Sequence, residues 1–111
     1  MNAMEPVAFE PSQALQALAD GTRQQILDCL SRERLHVDEL AARFPISRPA
    51  ISKHLRQLKA AGLVEEEREG RRAYYRVNLK RLRELEDWLA AQRKSWQAAL
   101  SRLKRMVEGD D

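Results

Sequence analysis

The sequence predicts a mainly α fold with one small β-hairpin and a long C-terminal helix, and three observations carry that expectation. Short apolar stripes at helical spacing, each bounded by a capping residue or a proline, recur over the first half of the chain. A run of alternating side chains then folds back at Gly70, and from Leu79 to Val107 neither Gly nor Pro interrupts the sequence. The 111 residues suffice for one modest core and one element left over. A single domain over 1–111 is therefore expected, with a compact unit at 12–78 and a helix at 79–107.

Pro11 suits the first turn of a helix, and Leu15, Leu18 and Ala19 give it a short apolar face before Asp20 and Gly21 interrupt. Asp20 is placed to cap the next helix, whose buried stripe is Ile26, Leu27 and Leu30 and whose end falls near Arg32. Val37, Leu40, Ala41 and Phe44 repeat over barely two turns, a length that holds only when packed on neighbours, and Pro45 stops this third helix. Ser47 follows as the N-cap of a fourth helix from about Arg48 to Ala61. Ile51, Leu55 and Leu58 form its inward face, and Gly62 is its natural left-handed terminus.

Leu63 and Val64 lead into a charged strand ending at Glu69; Gly70 and Arg71 make a tight turn, and Ala73, Tyr75 and Val77 alternate along the return strand. Tyr75 is in phase with the apolar side and is expected to pack, while Tyr74 faces the other way. In the last segment Leu82, Leu89, Trp96 and Leu103 fall every seventh residue, with Leu85, Gln92, Ala99 and Met106 three residues after each. So long a seam has little else in this chain to cover it. It reads as a helix that pairs with a second copy, with Leu82, Leu85, Leu89, Trp96, Ala99, Leu103 and Met106 at the dimer interface.

Charge is unevenly placed. From Ser47 to Arg83 there are 11 Lys/Arg against 4 Asp/Glu, whereas the remainder carries 9 against 13. A positive segment inside a chain of pI 9.4 is the electrostatic footprint of a polyanion partner, provided the geometry presents it. No apolar run approaches the roughly 18 residues of a membrane span, and the opening MNAMEPVAFEP lacks a signal-peptide layout. Cys29 is the single cysteine, which excludes an internal disulfide. The expected setting is the cytoplasm, with no membrane partner.

Two short helices joined by a tight turn, the second opening Ser-Arg-Pro and followed by a hairpin, have the order of a winged helix-turn-helix. With Ile51, Leu55 and Leu58 inward, the opposite arc of the fourth helix carries Arg48, Pro49, Ser52, Lys53 and Arg56. Such an arc fits a major groove about 12 Å wide: Arg reads guanine edges bidentately, Ser47 and Ser52 bond phosphates or bases, and Lys53 neutralises a phosphate. His54 lies beside the apolar arc and reads as a packed or phosphate-touching side chain. In the hairpin Arg71 and Arg72, nearest the tip, are the candidates for DNA, while Arg68 is expected to balance the neighbouring glutamates. The expected DNA-binding set is thus Ser47, Arg48, Pro49, Ser52, Lys53, His54, Arg56, Arg71 and Arg72. A symmetric dimer would require a pseudo-palindromic operator.

The segment ISRPAISKHLRQLKAAGLVEEEREGRRAYYRV resembles the ArsR family of bacterial winged-helix repressors, and LQALADGTRQQILDCL resembles that family's opening helices, a match over roughly residues 14 to 78. The resemblance implies that the helix starting at Ser47 enters the major groove, that the hairpin is the wing and that the terminal helices form the dimer. Many members sense metals through a Cys-Val-Cys pair at the third helix or through His and Asp on the last one. Here the third-helix stretch is Leu35-His36-Val37-Asp38-Glu39-Leu40, and the last helix has no histidine. Neither pattern is present, so no metal and no cofactor is expected. The DWLAAQRKSWQAALSRL segment looks like the branch often encoded beside START-like ligand-binding proteins and acting as autorepressors without an effector.

An enzyme would need a positioned acid/base or nucleophile pair, and two distant histidines, one cysteine and no phosphate loop supply none. The expected function is a homodimeric, DNA-binding transcriptional repressor that occludes a promoter. The rivals are a metal- or redox-responsive repressor built on His36, Asp38 and Glu39 or on Cys29, and a winged helix that docks proteins. The last would present a less basic, more aromatic face than Arg48, Lys53 and Arg56.

Overall fold

The computed structural model describes residues 9–109; most of the opening MNAMEPVAFEP segment and the two ends of the 1–111 span lie outside them. Eight elements follow in order: α1 (Pro11–Ala17), α2 (Gly21–Arg32), β1 (Leu35–His36), α3 (Val37–Ala41), α4 (Arg48–Ala60), β2 (Val64–Glu69), β3 (Arg72–Val77) and α5 (Leu79–Val107). The strands form one antiparallel sheet in the order β1-β3-β2.

The helices α2 to α5 each begin where a side chain can serve the free N–H groups of the first turn. The Asp20 carboxylate accepts from the Arg23 N–H at 2.9 Å, Ser47 Oγ from the Ala50 N–H at 3.2 Å, and Asn78 Oδ1 from the Arg81 N–H at 3.1 Å. The five-residue α3 is secured reciprocally: His36 Nδ1 accepts from the Asp38 N–H at 3.2 Å, and the Glu39 carboxylate accepts from the His36 N–H at 3.0 Å. It ends at Ala41, short of the expected two turns, and Phe44 reaches the core from the connecting loop.

At the other end of α4 the Leu63 N–H donates to the Leu58 carbonyl at 3.0 Å and the Gly62 N–H to the Lys59 carbonyl at 2.9 Å. This reversal requires the positive φ of +78° that Gly62 adopts. Leu58 and Leu63, brought together by it, are both fully buried. Gly70, with φ of +63°, opens the two-residue turn between Glu69 and Arg72, which face each other across β2 and β3.

The core is one cluster. Ile26 and Leu30 of α2, Leu35 of β1, Leu40 of α3, Ile51, Leu55 and Leu58 of α4, and Val64 and Val77 of the hairpin meet in it. Tyr75 packs against its edge, as its phase predicts, and burial holds its phenol above the usual range. Two expectations are corrected. The hairpin has a third strand, because Leu35 and His36 pair with Tyr75 and Tyr74; two residues are too few to display a period of two. On α1 the inward side is Ala14, Ala17 and Leu18, with Leu15 turned out at 39% exposure and Ala19 exposed. Small side chains let this short helix lie close on α4 and α5.

The 29 residues of α5 span about 43 Å at 1.5 Å per residue, and only the beginning rests on the body. Leu85 is 5% exposed and Leu82 is half-buried against the core, so this first heptad serves the chain's own interior. Of the residues expected at the dimer interface, Leu82 and Leu85 thus also pack within the chain itself. Beyond them Leu89, Trp96, Ala99, Leu103 and Met106 are exposed, with Trp96 at 56% and Leu103 at 55%. The protruding helix gives a radius of gyration of 18.8 Å, against about 13 Å for a compact chain of this size.

Candidate nucleic-acid interface

α3 and α4 are joined by the six residues Ala42 to Ser47, and α4 presents its outer arc because Ile51, Leu55 and Leu58 are fixed in the core. Lys53 and Arg56 stand on that arc, exposed, beside Pro49 and a half-buried Ser52. Among the described residues neither cation has an ion-pair partner. The same holds for Arg71 and Arg72 at the hairpin tip, both exposed. An exposed, uncompensated guanidinium or ammonium is available to a polyanion without first breaking an internal bond.

The remaining cations of the region are engaged. Arg68 lies 3.5 Å from Glu66, as expected, and Arg76 lies 3.2 Å from Glu65 across the strands. Lys59 donates to Glu66 at 2.6 Å, and that bond holds the Glu66 carboxyl below its ordinary range. Arg34 bonds Glu67 and Glu69 while lying over the Tyr74 ring at 4.1 Å. This network ties β1 to the hairpin, so the tip is carried on a three-stranded base.

His54 is a packed side chain, one of the two readings its place beside the apolar arc allows. Its side chain is 20% exposed, with Nδ1 at 3.9 Å from the Asp20 carboxylate and 3.5 Å from the Arg23 guanidinium. Being about 60° from the apolar centre of α4 on the α2 side, it faces the neighbouring helix and not the open arc. Arg23 completes this joint. It donates to the Ala17 carbonyl at 2.6 Å, the Gln16 carbonyl at 3.2 Å and Gln57 Oε1 at 2.7 Å. The Asp20 carboxyl is held below its ordinary range first by the Arg23 N–H and then by the charges of Arg23 and His54. Sequence reading identifies Asp20 as a cap but not Arg23 as the bracket that orients α4, because its partners are carbonyls that no pattern announces.

A cleft of about 260 Å³ opens where α3, the start of α4 and the hairpin tip converge, lined by His36, Asp38, Arg48, Arg68, Arg71 and Arg72 among others. It brings the expected Arg48, Arg71 and Arg72 together. Arg48 there donates through Nε to the Asp38 carboxylate at 2.6 Å. That bond, and then the Arg48 charge, hold the Asp38 carboxyl below its ordinary range, with His36 and Arg72 adding to the effect.

The trio His36, Asp38 and Glu39 does not suit a metal ion. His36 Nδ1 and the Glu39 carboxylate are occupied in the capping of α3, and Asp38 is held by Arg48. Among the described residues no three His, Cys, Asp or Glu side chains are grouped as a metal site would need. Cys29 lies half-buried at the edge of the core. No described helix is long and apolar enough to cross a membrane.

Residues 20–66, which run from the α2 cap to the middle of β2, match the family model described as bacterial regulatory protein, arsR family. The HTH-type transcriptional regulator Rv2034 of Mycobacterium tuberculosis is 42% identical over 103 residues, covering 91% of this chain and 94% of that protein. Among solved structures, an ArsR-like transcriptional regulator from Rhodococcus sp. RHA1 superposes with a TM-score of 0.77 at 36% identity, over 86% of this chain and 91% of that one. The homodimeric winged helix-turn-helix DNA-binding domain Mb0332 from Mycobacterium bovis gives a TM-score of 0.62 at 29% identity, over 82% and 92% of the two chains. The chain therefore belongs to the ArsR family of bacterial regulatory proteins and is a winged helix-turn-helix transcriptional regulator.

Proposed function

We propose that the chain binds a pseudo-palindromic operator as a homodimer, with α4 in the major groove and the hairpin tip against the backbone, and represses transcription by occupying the promoter. The carrying observation is the set of exposed cations without internal partners, Lys53 and Arg56 on α4 and Arg71 and Arg72 at the tip, set off from a background in which neighbouring arginines are engaged by glutamates. Ser47, Pro49 and Ser52 give α4 a short-chained surface that allows close approach to base edges, and Arg48 is at its leading end. Pairing is supported by the outer part of α5, where Leu89, Trp96, Ala99, Leu103 and Met106 continue a heptad seam that the body leaves uncovered. The homodimeric state of the Mycobacterium bovis domain agrees with it. Repression agrees with a further relative, the transcriptional repressor SdpR of Bacillus subtilis, 37% identical over 73 residues, or 66% of this chain and 81% of that protein.

The test is a gel shift with the chain's own promoter fragment at several salt concentrations. Lys53→Ala and Arg56→Ala should each weaken binding, and each phosphate no longer neutralised should lower the salt slope by about 0.9. Affinity and slope equal to wild type in both variants would remove α4 from the DNA.

A further inference from the structure

We propose that Asp38 acts as an internal stand-in for a DNA phosphate, holding Arg48 at the mouth of the cleft until the duplex displaces it, and so sets the affinity of the chain for DNA. The inference rests on the DNA reading above and adds a residue to it that lies on α3, outside the recognition helix.

The geometry is specific to this one carboxylate. Arg48 occupies the first position of α4, and its Nε donates to Asp38 Oδ1 at 2.6 Å, the length of a charge-assisted bond. Both side chains remain largely open, at 62% and 66% exposure, so the bond can be exchanged for one to an arriving anion without unpacking the core. The surroundings favour an anion at this spot. Arg68, Arg71 and Arg72 line the same cleft, and Arg71 and Arg72 are without ion-pair partners among the described residues. Asp38 is the one carboxylate in that lining, and its ionised form is stabilised by the same cations that a phosphate would meet.

Exchange has an electrostatic consequence. When DNA takes Arg48, one counterion leaves the phosphate, but the freed Asp38 carboxylate is left uncompensated beside the duplex and recruits a cation. The two changes oppose each other in the salt dependence. An exposed pair of this kind is weak, which is what a contact that must be exchanged requires.

Asp38→Asn is the test, read with a mixed-sequence duplex at low salt, where phosphate contacts suffice for binding. The variant should bind about two- to fivefold more tightly than wild type, with a salt slope steeper by up to about 0.9. Since Asp38 would also repel DNA without touching Arg48, the same substitution is repeated in an Arg48→Ala background. There the gain should largely vanish; a gain of full size would show that Asp38 acts only through its charge at a distance and would overturn the proposal. Affinity unchanged or lowered by Asp38→Asn, in a variant whose thermal unfolding matches wild type, would overturn it also. A variant with lowered unfolding is replaced by Asp38→Ser, which keeps a helix-start residue and must give the same gain. Lys53→Ala measured beside them reports on the DNA reading itself. If it and Arg56→Ala both bind as wild type, that reading fails; if they weaken while Asp38→Asn does nothing, the present proposal fails alone.

Discussion

Leu85 and Met106 hold the same heptad position in α5, yet Leu85 is 5% exposed and Met106 is 76% exposed. Between them the helix passes from the body of the domain, where the core reaches it, into a stretch whose apolar side chains are largely exposed among the described residues. The contrast teaches that a hydrophobic period identifies a face to be covered and says nothing about what covers it. The body closes over α5 only as far as Leu85, because α1 is short and the sheet ends at Val77. The rest of the seam is where the proposed dimer would seat a second copy.

Two substitutions should separate these regions. Leu85→Ala removes a side chain from a closed core and should cost about 2–5 kcal/mol of stability in urea unfolding, while the surviving native fraction remains dimeric in sedimentation. Leu103→Asp places a charge on the outer seam and should yield a monomer at micromolar concentration that keeps the folded signature of the body. A dimeric Leu103→Asp protein would break the comparison, since the outer seam would then not be what pairs the chains.

A smaller effect tests the joint between the regions. Gly62 ends α4 at a positive φ, and a Cβ placed on it would stand 3.1 Å from Arg81 Nε, in the first turn of α5. Gly70 also has a positive φ, but a Cβ there meets nothing within 4 Å. Alanine at either site incurs the left-handed penalty of about 1–2 kcal/mol, and only Gly62→Ala must also shift the Arg81 guanidinium by a few tenths of an ångström. Its urea midpoint should fall below that of Gly70→Ala. Equal midpoints would mean that the Arg81 side chain yields freely.

Much of this fold could be read along the chain, and what could not has physical reasons. Asp20 and Ser47 were legible as caps because a cap depends on one residue and the helix that follows it. The inward faces of α2 and α4 and the turn at Gly70 were legible for the same local reason. β1 was not, since two residues acquire strand character only from pairing with Tyr74 and Tyr75, far along the chain. Among the candidate interface residues, Lys53, Arg56, Arg71 and Arg72 lie exposed as their spacing implies. His54 turns to Asp20 and Arg23, and Arg48 is engaged by Asp38; both depend on which helix packs alongside, which the period of a single helix does not contain.

The smallest expected effect concerns acid and belongs to the body. Among the described residues, Asp20, Asp38 and Glu66 are the carboxylates held below their ordinary values, and all three lie ahead of α5. A carboxyl whose folded value lies below its unfolded one contributes stability that is fully present above the unfolded value, near 3.8 for Asp20, and is lost as pH falls through the folded value. Acidification should therefore lower the urea midpoint of a monomeric variant such as Leu103→Asp. Adding Asp20→Asn to that variant keeps a side chain able to cap α2 but removes the titration. The difference in midpoint between about pH 7 and about pH 3 should then be smaller in the doubly substituted protein than in Leu103→Asp alone. An equal difference in the two would place the acid sensitivity of the body on other groups and leave the Arg23 N–H contact as a cap of ordinary strength.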